Sequence, residues 1–293
     1  MAKMYLANLW FGRRAVSLAE QLQIAASLGF HGVSMLSGGV SKDADSGLAA
    51  TQTESSKVVA VSADQLLPAR EPSADAFQWL PEDVDLLLSR LKSLRCAHLI
   101  VPTGLDARPK AIDRGEEILA RVHGGERITD STCDSLQFFA DLPDFAWEQQ
   151  LSRLVAFLYK LRRRAPGLLI SLLPEASPAA LLNPQRLRLL QEEIGTFQIG
   201  YWHDTAAMET RFMATGEAPG EWLDGFSNIM SGSTLHDFSG GSEHLPPGLG
   251  QVDWQLLREY LPREAIRVLA AAPSYPGEIL TECRSDLESR LNP

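Results

Sequence analysis

Eight short apolar runs recur along the chain, and nearly every one is followed by a stretch with helical spacing. They are MYLANLWF, GFHGVSML, KVVAVSA, AHLIVPTG, GLLISLLPE, FQIGYWHD, SNIMSGSTLHD and AIRVLAAAP. Runs that are apolar throughout fit strands covered on both faces, as in a parallel sheet overlaid by helices. The count predicts an α/β protein, a closed (β/α)8 barrel rather than an open doubly wound sheet. At 293 residues, 45% of them hydrophobic, the chain is long enough for such a barrel to form one domain over 1–293. No GxGxxG follows a strand and no GxxxxGK[ST] occurs, so nothing recommends a nucleotide-binding fold.

The rhythm breaks once. Leu105 to Phe145 separates the fourth strand from its helix by far more than the usual βα loop. Loops at that end of a barrel strand build the active-site face, so 105–145 is expected to be a lid-like insertion, with a short helix at DRGEEILARVH. The net charge of -10 argues against nucleic-acid partners. The basic run Arg162, Arg163 and Arg164 ends a helical pattern and is expected to complement the helix C-terminus. Three widely spaced cysteines, Cys96, Cys133 and Cys283, and no apolar run long enough to span a bilayer lead to the expectation of a cytoplasmic protein without membrane contact.

In a barrel, chemistry sits where strands end. Glu175 ends the fifth run, Asp204 the sixth and His236 the seventh, and His244 follows in the next loop. Carboxylates with imidazole form a ligand set for a divalent cation. The alternative is that the acids cap the following helices, as Asp204 would before TAAMET. His203 and Asp237 neighbour inward residues on their strands and fall to orienting or packing roles. His31, His98 and His123 read as structural. No GxSxG elbow and no strand-end cysteine occurs, which disfavours covalent catalysis. Of Trp10, Trp202 and Trp254, all near strand ends, Trp10 is the preferred wall for a sugar ring.

The stretches LPEASPAALLNPQRLRLLQEEI, IGYWHDTAAME and LHDFSGGSEHLPPGLGQVDW resemble the xylose isomerase-like TIM barrels. That superfamily includes sugar isomerases and epimerases, endonuclease IV-type repair enzymes, inosose dehydratases and 3-dehydroshikimate dehydratases. The resemblance runs along most of the chain. It places a His-Asp at His236 and Asp237, a loop acid and second histidine at Glu243 and His244, and a Pro-Gly-x-Gly-x-Val-Asp at Pro247, Gly248, Gly250, Val252 and Asp253. It implies a divalent metal (Mn, Zn, Mg or Co) on Glu175, Asp204 and His236. Glu175 or His244 would transfer protons, with Trp10, His203 and Glu243 against the substrate.

Three positions depart from the pattern. Ala270 stands where the family carries a strand-eight glutamate, Ala207 where it carries a histidine, and Pro102 and Thr103 where many members place another. A weak or absent metal is the corresponding expectation. The implied function is a sugar isomerase or epimerase acting on a small polyhydroxylated or keto substrate. The alternatives are a degenerate barrel binding a metabolite or protein partner, and a dehydratase. Self-association into a homo-oligomer is a further expectation, since many relatives form one.

Overall fold

In the computed structural model, residues 3–12, 16–36, 57–67, 80–106, 108–127, 139, 144–195 and 198–291 are described. Eight parallel strands close into a barrel: β1 (Met4–Ala7), β2 (Gly32–Met35), β3 (Lys57–Ser62), β4 (His98–Pro102), β5 (Leu169–Leu173), β6 (Ile199–Asp204), β7 (Met230–Leu235) and β10 (Ile266–Leu269). Each pairs with its predecessor in the chain, and Tyr5 opposite Val268 joins the first to the last. All eight fall within the apolar runs read from sequence. Between β7 and β10 lies a two-stranded antiparallel hairpin, β8 (Asp237–Ser239) and β9 (Ser242–Leu245), which periodicity does not foretell.

Nine α-helices occur among the described residues. They are α1 (Leu18–Ser27), α2 (Val84–Ser93), α3 (Pro109–His123), α4 (Asp144–Arg164), α5 (Pro184–Ile194), α6 (Thr205–Thr215), α7 (Pro219–Phe226), α8 (Trp254–Tyr260) and α9 (Gly277–Leu291). Local chemistry sets their starts. Ser17 and Glu20 form a reciprocal capping box on α1, Asn183 caps α5 ahead of Pro184, and Asp253 accepts from the N–H groups of Gln255 and Leu256 to begin α8. At the end of α4, Arg162 donates to the carbonyls of Pro166 and Leu168, in the turn beyond the helix. The helix α7 has no counterpart in the sequence reading.

Alternation along the strands sorts the core into two layers. Leu6, Leu99, Tyr201 and Leu235 face outward and pack with the helices, including Leu22, Leu87, Leu158 and Leu190. Tyr5, Ala60, Ile100, Trp202 and Val268 form a second cluster that fills the barrel. Trp202, one of the three tryptophans near strand ends, is therefore interior packing, its indole N–H donating to Thr234 Oγ1 at 2.9 Å. His98 joins the interior packing edge-on to Trp202, its Nε2 2.6 Å from Ser171 Oγ.

Of the insertion expected at 105–145, the described part is mainly α3, four residues longer at its start than DRGEEILARVH. It packs on the strand-six helix. Ile118 and Val122 bury against Ala206 and Ala214 of α6 and Phe238 of the hairpin. Residues 128–138 and 140–143, with Cys133, lie outside the described residues.

Candidate functional site at the barrel mouth

Asp204 is the last residue of β6 and also the first cap of α6. Its Oδ1 accepts the N–H of Ala207 at 3.0 Å and meets His236 Nε2 at 2.8 Å. Of the two sequence readings of this residue, the helix cap is the one its bonds make, and His236 is a second partner of the same oxygen. Burial opposes its ionisation, yet the adjoining imidazole and the Ala207 N–H hold its pKa down at about 2.

His236 follows β7 and is 1% exposed. Its backbone is tied to Thr205, whose Oγ1 receives the His236 N–H and donates to the His236 carbonyl. The ring lies against that of His244, with centroids 4.5 Å apart and planes 20° from parallel. His236 Nδ1 accepts the backbone N–H of His244 at 3.1 Å. Burial penalises a charged ring, but the Asp204 carboxylate, with Glu243 and Asp237 behind it, draws the pKa upward.

His244 takes a left-handed backbone at φ 58°, and the N–H of Ala272 holds its carbonyl at 3.0 Å. Its buried Nδ1 has no hydrogen-bond partner among the described residues. Burial and the neighbouring His236 lower its pKa. Glu243, assigned to substrate from the sequence, is engaged elsewhere. It accepts from Thr210 Oγ1 at 3.1 Å and lies 3.6 Å from His123 Nε2, which fastens the hairpin to α3 and α6.

Glu175 lies just beyond β5. Burial raises its pKa to about 7. The Gly104 N–H draws it down, the charges of Asp64 and Asp204 raise it further, and Arg211 opposes them. Two of these influences escaped the sequence reading. Asp64 follows β3 and was legible as an acid ending the third apolar run. Arg211, in mid-helix, carries no such signal. It is buried, and its Nη1 donates to the carbonyls of Glu175 and Ser177 at 2.8 and 3.4 Å.

The remaining candidates lie apart from this group. Trp10 is buried beside Phe11 and donates its indole N–H to the Tyr275 carbonyl at 2.9 Å. His203 faces outward, its Nδ1 2.8 Å from the Tyr201 hydroxyl, and burial pushes its pKa down to about 4. Asp237 organises the loop behind the site. Its carboxylate accepts from the N–H groups of Phe238, Gly248 and Val252 and from Trp254 Nε1, at 2.8 to 3.2 Å. The glycine of the Pro-Gly-x-Gly motif that matters most is Gly250, because a Cβ there would overlap that carboxylate. A cavity of about 370 Å³ between the loops after β4 and β5 and the end of α6 is lined by Asp106, Arg108, Arg186, Arg211 and Glu217 among others. No candidate from the sequence lines it.

Among the described residues, no group of three or more His, Cys, Asp or Glu is arranged to hold a metal ion. The end of β10 offers only the buried methyl of Ala270. Asp204 and His236 are closed on each other, and both ring nitrogens of His236 already have partners. As they stand, Glu175, Asp204 and His236 do not fit a divalent cation. No described helix is long and apolar enough to cross a membrane.

No protein-family model matches the chain. No curated protein matches it either. Solved structures do. They include an L-ribulose 3-epimerase (TM-score 0.65, 12% identity, covering 99% of this chain and 95% of that one). A second is the probable 3-DHS dehydratase AsbF of petrobactin synthesis from Bacillus anthracis (0.63, 12%, 100% and 99%). A third is the IOLI protein with a binding zinc atom (0.60, 13%, 99% and 99%). With its closed ring of eight parallel strands and these neighbours along its full length, the chain has the fold of the xylose isomerase-like TIM barrels.

Proposed function

We propose that the chain is a proton-transferring enzyme of the isomerase or epimerase kind, acting on a small polyhydroxylated or keto substrate at the barrel mouth. One observation carries this reading: the ends of β5, β6 and β7 bring Glu175, Asp204, His236 and His244 to one end of the barrel. Glu175 is the proposed proton-transfer group, since a carboxyl whose charged and neutral forms are balanced near neutrality can both take and return a proton. Without a carboxylate at position 270, a two-base reaction needs another partner. His244, whose buried Nδ1 is uncommitted, is the candidate. An L-ribulose 3-epimerase among the similar structures supports the substrate class.

The test is solvent exchange. A panel of ketoses and keto-sugars is incubated with the protein in deuterated water, and loss of the C–H signal beside the carbonyl is followed by NMR. Exchange by the wild type, lost in Glu175→Gln, is the expected result. Ligand-induced stabilisation without exchange on any member of the panel would favour a binding protein, the reading recommended by Ala270 and Ala207.

A further inference from the structure

A histidine that holds a cation through one ring nitrogen keeps its proton on the other and donates it to a carbonyl, carboxylate or water. His236 is arranged the opposite way. Its Nδ1 faces a donor, the backbone N–H of His244, at 3.1 Å. That nitrogen must be bare to accept, so in the neutral ring the proton sits on Nε2 and points at Asp204 Oδ1, 2.8 Å away. A cation on Nε2 would push the proton onto Nδ1, where it would meet the His244 N–H head-on. The two ligand atoms are also too close. Ligands on a tetrahedral zinc stand about 3.3 Å apart, given bonds of about 2.0–2.1 Å.

The hairpin cannot easily turn its N–H aside. The His244 carbonyl is held by Ala272, and Thr205 bonds both the N–H and the carbonyl of His236. Asp237 gathers the loop beyond. On the far side, Gly241 lies so close to the His123 backbone that a Cβ would overlap it, which presses α3 onto the hairpin. Asp204 Oδ1 is bound twice over, by Ala207 and His236.

We infer that Asp204 and His236 form a metal-free dyad, in which the proton on Nε2 takes the place of a cation and the backbone N–H of His244 fixes that tautomer. The inference stands on hydrogen-bond geometry and is independent of the reaction proposed above. His244 is here a positioning residue through its backbone.

The experiment uses the whole chain, freed of metal by chelator. Calorimetric titration with MnCl2 and ZnCl2 is paired with long-range 1H–15N spectra of the histidine rings. The expected result is no saturable binding up to about 1 mM, and a His236 ring with Nε2 protonated and Nδ1 bare that zinc leaves unmoved. Weak binding that persists in His236→Gln would lie elsewhere on the acidic surface and leave the inference standing. Stoichiometric binding at micromolar concentration that moves the His236 resonances would overturn it. Should His236→Gln fail to fold, the wild-type spectra decide by themselves: a zinc-dependent shift of His236 refutes the dyad, and an unchanged ring upholds it. Because deuterium exchange can be run with chelator present, loss of the dyad and loss of the proposed reaction give separate results.

Discussion

Gly232 on β7 lies against the six-membered ring of Trp202 on β6, so close that a Cβ at position 232 would overlap that ring. The indole fills the barrel interior because its neighbouring strand presents no side chain there. Gly232→Ala should therefore force the ring from its place and cost about 1–3 kcal/mol, the range of an overpacked core. Trp202→Ala should cost more, about 3–5 kcal/mol, since it leaves a cavity. Chemical denaturation checks both. An alanine at 232 with wild-type stability would mean that the interior is looser than described.

The carboxylate of Asp237 satisfies four donors from one buried point. Removing it leaves them dry, and each unsatisfied buried donor costs about 1–3 kcal/mol. Asp237→Ala is expected to destabilise strongly and to speed amide hydrogen exchange at Gly248 and Val252. Asp237→Asn keeps one acceptor oxygen and should fall between. Unchanged exchange at these two amides would show that the loop holds itself.

His98 gives stability a pH dependence. Burial pushes its pKa down from 6.5 to about 4, so the folded protein binds fewer protons than the unfolded chain. Its contribution is complete above pH 6.5 and drains away as pH falls toward 4, by up to roughly 3 kcal/mol. His98→Gln should therefore lose less stability than the wild type between these pH values. Parallel acid limbs in the two proteins would refute a buried neutral His98.

Much of this architecture was legible in the chain. The eight strands were readable because a strand buried on both faces must be apolar along its length, and the cap at Asp204 because orphan helix N–H groups demand such a residue. The strand-end rule found Glu175, Asp204 and His236. It did not reveal that Asp204 and His236 close on each other, because spacing along a strand says nothing of which nitrogen meets a donor. Trp202 stayed open for a related reason: an indole near a strand end suits a pocket wall or a barrel core equally, and only the bare Gly232 opposite decides. The hairpin β8–β9 was hidden because its strands are only three and four residues long, and the path of α3 because it depends on contacts with α6 and Phe238, far along the chain. Arg211 had no local signature at all.

That arginine underlies the last prediction. Arg211 is 2% exposed, and its guanidinium reaches three elements at once. Nε and Nη2 fork onto Glu217 at 2.7 and 3.1 Å, Nη1 donates to the carbonyls of Glu175 and Ser177, and the group lies over Trp222 at 5.3 Å from the ring centroid. A planar fork is needed for all of this, and lysine has none. Arg211→Lys should keep the charge but lose the bond to the Glu175 carbonyl, lowering stability and freeing the stretch from Glu175 to Ser177. Arg211→Met, which also leaves Glu217 unpaired, should do so further. The order is checked by denaturation, and the local effect by hydrogen exchange, which should quicken in the loop after β5 and leave β6 and β7 protected. The opposing outcome has a ready cause. That loop is also pinned to the strand-four side, where Asp106 N–H donates to Ala179 and Leu181 N–H to Gly104, at 2.7 and 3.0 Å. If Arg211→Lys leaves exchange after β5 unchanged, those backbone bonds position Glu175, and the arginine serves only α6 and α7.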